Sequence, residues 1–334
     1  MPANVATRLM QHYVDKCRRL PWRVAPGGPP QDPYRVWLSE VMLQQTSVAA
    51  VAPRFERFVA RWPSIDALAA APEAVVLSEW AGLGYYARAR NLVACAREIA
   101  HRGGFPRNAA GLRKLPGIGD YTAAAIAAIA FGERIVPVDT NVERVVARLN
   151  AIERPKRGVI ASLGLDMLGD APGDFAQALM DLGATICRPR APDCPACPLQ
   201  ADCAAFASGE PDRFPARKLR RERPNRYGIA QWIERDGHFW LVRRPARGLL
   251  GSMAALPGGH WTDRPIGNTA RYIGTVRHVF THFTLDLIVE AGEQPVGEGW
   301  WQPLERLAQA GLPTLYRRAA ELGMSRKERP RAAA

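Results

Sequence analysis

The chain has 334 residues, 47% hydrophobic and 23% charged, with 45 Lys and Arg against 32 Asp and Glu for a formal charge of +13. That length allows two domains with separate cores, and the balance of apolar and charged residues excludes a fibrous or intrinsically disordered chain. The basic excess points to a polyanionic partner, nucleic acid above all, and no run approaches the roughly 18 apolar residues of a membrane span.

In chain order, "MPANVATRLMQHYVDKCRRLPWR" reads as a polar amphipathic helix without the apolar run of a signal peptide. A reducing cytoplasm is therefore expected, with cysteines free or bound to metal rather than in disulfides. Apolar residues three and four apart predict helices over 34–47, 49–61, 64–70, 73–80, 85–102, 109–113, 120–131, 141–150, 158–168 and 173–186. A cysteine-rich stretch, 187–203, follows. Next, "RFPARKLRRERPNR" (213–226), with seven basic residues and one acidic, has the charge and proline of a linker. "YGIAQWIE", "HFWLVRR", "ARYIGTVRHVF" and "HFTLDLIVE" then predict strands, followed by helices near 303–310 and 314–322. The expected fold class is multidomain: an all-helical domain over 1–212, the linker over 213–226, a small mixed α/β domain over 227–322, and a disordered tail over 323–334.

Three stretches carry chemistry. Cys187, Cys194, Cys197 and Cys203 form a C-x6-C-x2-C-x5-C array. Zinc sites usually show two close cysteine pairs, whereas a compact wrap suits the corners of an iron–sulfur cubane, and spacing alone leaves both metals open. Cys17 and Cys95 lie far away on predicted helices and read as small buried hydrophobes. "LPGIGDYTAAAIAAIAFG" (115–132) reads as a tight turn opening a helix, with Gly117 and Gly119 allowing positive φ and close backbone approach. Free amides at the start of such a helix suit a phosphate oxygen, although a plain helix–helix turn has the same signature.

Third, "YRVWLSEVMLQQTS" (34–47) sets one carboxylate in an apolar helix, with Trp37, Glu40, Leu43, Gln44 and Ser47 on one face. On a solvated face Glu40 would be unremarkable; in a pocket, burial would keep its proton for a leaving group. "VPVDTNVERVVARL" (136–149) puts Asp139 where a helix begins, the place of an N-cap and one that favours negative charge. One acid held protonated and one carboxylate held charged suit cleavage of a glycosidic bond through an oxocarbenium-like transition state.

The cysteine spacing after a long helical region resembles the endonuclease III superfamily of helix–hairpin–helix DNA glycosylases, which implies one 4Fe–4S cluster on Cys187, Cys194, Cys197 and Cys203. "WLSEVMLQQT", "GLGYYARARN", "LPGIGDYT", "VDTNVERVVARL" and "FAQALMDLGATIC" together resemble its MutY branch, the adenine DNA glycosylases, over about residues 8–210. The resemblance implies that Glu40 protonates a flipped adenine and Asp139 stabilises or briefly bonds the sugar cation, with Asn141 and Tyr121 in support. Trp22, Arg23 and Leu43 would shape the adenine pocket, and Gln44, Gln45, Thr46 and Tyr86 would meet the opposite base and hold the gap. Leu115, Gly117 and Gly119 would form the DNA-binding hairpin, and Arg188 and Arg190 would reach phosphates. Bifunctional relatives carry lysine where Tyr121 stands; a phenol forms no Schiff base, so no lyase activity is expected. Asp181 stands where the pattern usually has glutamate, which would loosen contacts to the base.

Residues 226–322, especially "LVRRPARGLLGSMAALPGG", resemble the Nudix-like domain with which this branch recognises 8-oxoguanine. No R-E-x-x-E-E helix follows Gly259, so Nudix hydrolysis is not expected. Phe280, Thr281 and His282 match the family's Phe-Ser-His lesion-reading loop, with a threonine for serine. The expected activity is removal of adenine opposite 8-oxoguanine or guanine in duplex DNA by a monomer. The rivals are a thymine or uracil mismatch glycosylase of the same superfamily and a non-catalytic iron–sulfur DNA-binding protein.

Overall fold

The computed structural model describes residues 2–216, 222–245, 248–267 and 269–325. The chain divides into two compact units, Met1–Pro72 with Arg90–Leu219 and Glu73–Ala89 with Arg220–Ala334. The segment 73–89, assigned from sequence to the helical domain, thus groups with the C-terminal unit.

Helices dominate the first part of the chain: α1 (Pro2–Lys16), α2 (Pro33–Leu43), α3 (Val48–Arg61), α4 (Ile65–Ala70), α5 (Glu73–Glu79), α6 (Tyr86–His101), α7 (Ala109–Leu112), α8 (Asp120–Phe131), α9 (Thr140–Leu149), α10 (Arg157–Asp166), α11 (Pro172–Thr185) and α12 (Ala204–Ala207). Their starts follow capping chemistry. Asp32, Ser47, Ser64, Asn108 and Asp139 each accept a bond from a backbone N–H in the first turn of the helix they precede. The predicted helix over 34–47 ends early, at Leu43, because Gln45 takes a left-handed φ of 56° and Ser47 already caps α3. α2 is also buried all round rather than on one face. Trp37 is fully buried among Tyr34 and Phe105. The alanine-rich α8 lies inside, its small side chains letting α2 and α11 approach closely.

The expected linker does not begin at 213. Phe214 is buried and its carbonyl accepts from Arg148 Nε at 2.9 Å, while Ala216 N–H donates to Glu153 O at 2.7 Å. An apolar ring and a buried guanidinium in need of an acceptor fasten this segment to the first unit. Residues 217–221, the centre of the predicted linker, lie outside the described residues.

The C-terminal unit holds two small sheets. Strands β1 (Asn225–Trp232), β6 (Thr284–Ala291) and β5 (Tyr272–Val279) lie in the order β1-β6-β5, with β1 parallel and β5 antiparallel to β6. In the second sheet, β3 (His238–Arg243) pairs antiparallel with β2 (Glu234–Arg235), β4 (Ala254–Ala255) and β7 (Gly299–Pro303). Helix α13 (Thr314–Met324) packs on the first sheet, and Gly323 is required there: a Cβ would lie 2.3 Å from the Trp232 ring. Sequence periodicity missed the two-residue β4 and the Gly- and Pro-bounded β7. The helix expected near 303–310 is a 3-10 turn, Leu304–Gln309. Residues 259–267 form a loop bridged to β1 at Tyr227 and Thr262. Of the tail expected to be disordered, 323–334, Gly323 and Met324 end helix α13, and the residues from 326 onward lie outside the described residues. Among the described residues no helix is long and apolar enough to cross a membrane.

Candidate active site

A cleft of about 1060 Å3 in the first unit is lined by Trp22, Arg23, Glu40, Leu43, Gln44, Gln45, Thr46, Gly117, Gly119, Tyr121, Asp139 and Asn141, among others. The volume is several times that of a nucleoside, so a base with its sugar can enter with room to spare. Glu40 projects from the buried helix α2 and is itself 8% exposed. Burial pushes its carboxyl from the ordinary 4.5 to about 7; a hydrogen bond from Tyr121 and the Arg23 charge oppose the rise, and Asp139 adds to it. The Tyr121 phenol also lies 4.0 Å from the Met180 sulfur, but its one proton goes to the stronger acceptor, Glu40. Near neutrality a substantial fraction of Glu40 therefore keeps its proton.

Asp139 is the N-cap of α9, and three donors converge on it. The backbone N–H of Asn141 (2.9 Å) and Val142 (2.7 Å) bind Oδ1, and the Asn141 amide (2.9 Å) binds Oδ2. A carboxylate held this way opposes a cation developing beside it without having to reorganise. Glu40 and Asp139 thus share one cleft in contrasting surroundings, one desolvated and one supplied with donors.

Asn141 is fixed from behind. Arg144, one turn along α9, donates to Asn141 Oδ1 (2.9 Å), Gly183 O (2.7 Å), Thr140 O (3.0 Å) and Cys187 O (2.7 Å). Arg148, another turn on and 2% exposed, donates to Arg188 O (2.7 Å) and to the Cys187 sulfur (3.4 Å). Sequence reading missed both arginines. The signal was present: arginines four apart interrupt the valine face of "VERVVARL", and a buried arginine needs several carbonyl acceptors.

Several expected site residues take different places. Asp181 does not line the cleft. It is buried behind it, accepting from the Arg18 backbone N–H (2.9 Å), Arg18 Nε (2.6 Å) and Arg23 NH1 (2.7 Å), so its shorter chain reaches arginines rather than a base. Arg18, Thr122 and Gln177 line the cleft instead, unpredicted. Gln44 binds the Thr122 hydroxyl through its amide at 3.2 Å. Leu115 is a core side chain, 3% exposed, so only its backbone is open to a partner. Gly117 has the left-handed φ of 73°, but Gly119 does not: at φ −91° it caps α8 without a side chain, leaving the helix amides bare.

Tyr86 is buried at the start of α6, whereas Tyr85 is 46% exposed at a left-handed φ of 49°, after Gly84 at 70°. The Tyr85 hydroxyl hydrogen-bonds the hydroxyl of Thr281. Thr281 and His282 are exposed at the tip of the two-residue turn between β5 and β6, closed by Phe280 N–H to Phe283 O at 2.9 Å. Phe280 stacks on Trp261 with centroids 5.7 Å apart. The aromatic facing outward is therefore Tyr85; the doubled tyrosine hid which of the two is free to project.

Cys187, Cys194, Cys197 and Cys203, none in a disulfide, line one small cavity. Among the described residues no three His, Cys, Asp or Glu side chains converge closely enough for a single metal ion. The sulfurs surround a space rather than a point. Burial raises the Cys197 thiol to about 11 and those of Cys194 and Cys203 above the ordinary value, so thiolates here need an opposing charge. Arg188 and Arg190 are both exposed on the loop beside it.

Comparisons with known proteins agree with this construction. The family model "HhH-GPD superfamily base excision DNA repair protein" matches residues 38–163, and "NUDIX domain" matches 229–322. A solved structure titled as a thermostable thymine-DNA glycosylase is 26% identical with a TM-score of 0.55, covering 61% of this chain and 95% of that one. An Arabidopsis thaliana protein named adenine DNA glycosylase is 37% identical over 75% of this chain, which spans 46% of its length. One of the same name from Mus musculus is 32% identical over 84% of this chain and 68% of its own length. By that likeness, in both its helical and its Nudix-like segment, the chain belongs to the adenine DNA glycosylase family.

Proposed function

We propose that this protein is a monofunctional DNA glycosylase that hydrolyses the bond between adenine and deoxyribose where adenine is mispaired with 8-oxoguanine or guanine. The observation that carries it is the pairing of a buried Glu40, its carboxyl raised to about 7, with a donor-supplied Asp139 in one cleft. Glu40 gives its proton to a ring nitrogen of the flipped adenine, which makes the base a leaving group. Asp139 opposes the positive charge that grows on the sugar, and water completes hydrolysis. Among the described residues no lysine lines the cleft, and a phenol in its place supports the expectation of no Schiff-base chemistry.

Duplex DNA would meet the bare amides before α8 through phosphate, and Arg188 and Arg190 through charge. Thr281 and His282, at an exposed turn, would meet 8-oxoguanine, with Tyr85 entering the gap. The four cysteines would hold one 4Fe–4S cluster; the Arg148 guanidinium aimed at the Cys187 sulfur and the shared cavity fit thiolate ligands. Bound there, the cluster supplies a rigid crosslink for the loop, and the hydrolysis requires no electrons from it. The protein would act as a monomer in the cytoplasm.

The test incubates protein with duplexes carrying A opposite 8-oxoguanine, A opposite G, T opposite G, or U opposite G, with and without alkali. Strand breaks in the adenine duplexes alone, and only after alkali, are expected. Breaks at T or U would favour the mismatch-thymine reading suggested by the structural relative. Breaks without alkali would overturn monofunctionality, and binding without breaks would favour a sensor.

A further inference from the structure

Asp181 is the most heavily bonded carboxylate in the first unit that the reaction itself does not touch. Its two oxygens take three N–H donors at 2.6–2.9 Å from Arg18 and Arg23, and its side chain is 9% exposed. Nearly all its acceptor capacity is spent, so it has little left for a base. Arg23 is as buried, 8% exposed, and lines the cleft on the side of Glu40. The groups facing Glu40 are Tyr121 from α8, Asp139 at the start of α9, and Arg23 from the loop after α1. Those facing Asp181 are the two arginines and, across α1, Tyr13, which also feels Asp174.

Arg23 therefore stands between two carboxylates that want opposite things from it. A free guanidinium in a low-dielectric cleft would swing toward Glu40 and draw off the proton that the reaction needs. Asp181 prevents this by bonding NH1 from behind and by offsetting part of the charge. We propose that Asp181 is a positioning residue that holds Arg23 away from Glu40 and thereby sets the upper pH limit of base excision. This rests on the assignment of Glu40 as proton donor; the carboxyl titration below is independent of turnover and separates failure of one from failure of the other.

Two measurements test it. In the first, infrared difference titration against Glu40→Gln isolates the Glu40 carboxyl band in wild type, Asp181→Asn and Asp181→Glu. In the second, single-turnover adenine excision is followed from pH 5.5 to 9 in the same proteins. Asp181→Asn should lose its Glu40 carboxyl band, and its activity, about one pH unit lower than wild type. That makes it about tenfold slower at pH 8 and within about twofold at pH 5.5. Asp181→Glu, which keeps the charge, should keep the limb near the wild-type pH. Adding Arg23→Gln to Asp181→Asn should move the limb back upward, because the cation that caused the shift is gone. Equal loss at every pH with an unmoved Glu40 titration, or a limb that stays low in the double variant, would overturn the inference. Should wild type excise no adenine while the titration shifts as stated, the functional assignment fails and the Asp181 role stands.

Discussion

Gly183 on α11 is where the structure leaves least room. An added Cβ would sit 2.6 Å from Asn141 Cβ and 3.0 Å from its Cα. Carbon atoms in contact need about 3.5–4.0 Å, so Gly183→Ala forces a retreat of about 1 Å between α11 and the start of α9. The backbone of Gly183 is helical, so alanine costs nothing in conformation and gains about 1 kcal/mol in helix propensity. Overpacking costs about 1–3 kcal/mol, leaving a net loss of stability of about 0–2 kcal/mol.

The larger effect should fall on chemistry. Asn141 binds Asp139 Oδ2 at 2.9 Å, and Arg144 joins Asn141 to the Gly183 carbonyl. Displacing Asn141 by about 1 Å breaks or lengthens the bonds that aim Asp139, and misplacement on that scale costs about a hundredfold in rate. Single-turnover excision should fall about that much while affinity for an uncleavable duplex changes little. A folded Gly183→Ala protein, confirmed by thermal melt, that excises within about threefold of wild type would refute the reasoning.

Four further outcomes follow from the same geometry. Tyr121→Phe removes the bond that favours ionised Glu40, so the basic limb of the pH–rate profile should move to higher pH; movement downward would contradict the assigned donor. In Glu40→Gln, excision should vanish while stability at pH 8 rises by about 2–3 kcal/mol, because a carboxyl raised from 4.5 to about 7 costs stability once ionised; urea melts should show the gain fading toward pH 4.5. Gly117→Ala places a Cβ 2.7 Å from Asn91 Cβ at a left-handed φ, so duplex affinity measured by anisotropy should drop at least tenfold; unchanged affinity in the folded variant would contradict the hairpin's proposed role. Arg148→Met leaves the Phe214 carbonyl unpaired in the interior and takes the guanidinium from the Arg188 carbonyl, and iron content per protein should fall with a stability loss of about 3 kcal/mol.

Helix positions were legible because Asp32, Ser64, Asn108 and Asp139 advertise starts and because apolar spacing persists between them. Glu40 was legible as an anomaly, a single carboxylate in an apolar helix. What escaped was set by contacts distant in sequence. Asp181 bonds Arg18 and Arg23 from some 160 residues away, and nothing local distinguishes it from a carboxylate that faces substrate. That α2 is buried on every side was not legible, because periodicity finds a face but cannot tell when the opposite face is buried too. Of the adjacent tyrosines 85 and 86, only the left-handed backbone after Gly84 decides which one projects. The strand Gly299–Pro303 lies between residues that ordinarily end strands, and pairing with β3 overrides that local signal.

Helix α9 accounts for why a hydrolytic site and a cysteine loop occur in one compact body. Its N-cap is Asp139, the carboxylate proposed to oppose the sugar cation, held by the amides that any helix must leave unpaired at its start. Three to four residues apart thereafter, Asn141, Arg144 and Arg148 lie in a row along it. Asn141 holds Asp139, Arg144 holds Asn141 and the Cys187 carbonyl, and Arg148 holds the Cys187 sulfur and the Phe214 carbonyl. Each guanidinium is buried and depends on these acceptors, so loosening the cysteine loop leaves Arg144 short of a partner before it disturbs the helix. The first casualty is then the hydrogen bond to Asn141, and through it the aim of Asp139. Loss of the loop's order should accordingly appear as slower excision at conditions where the helical core, held by Val142, Val145 and Val146 against α11, is still folded.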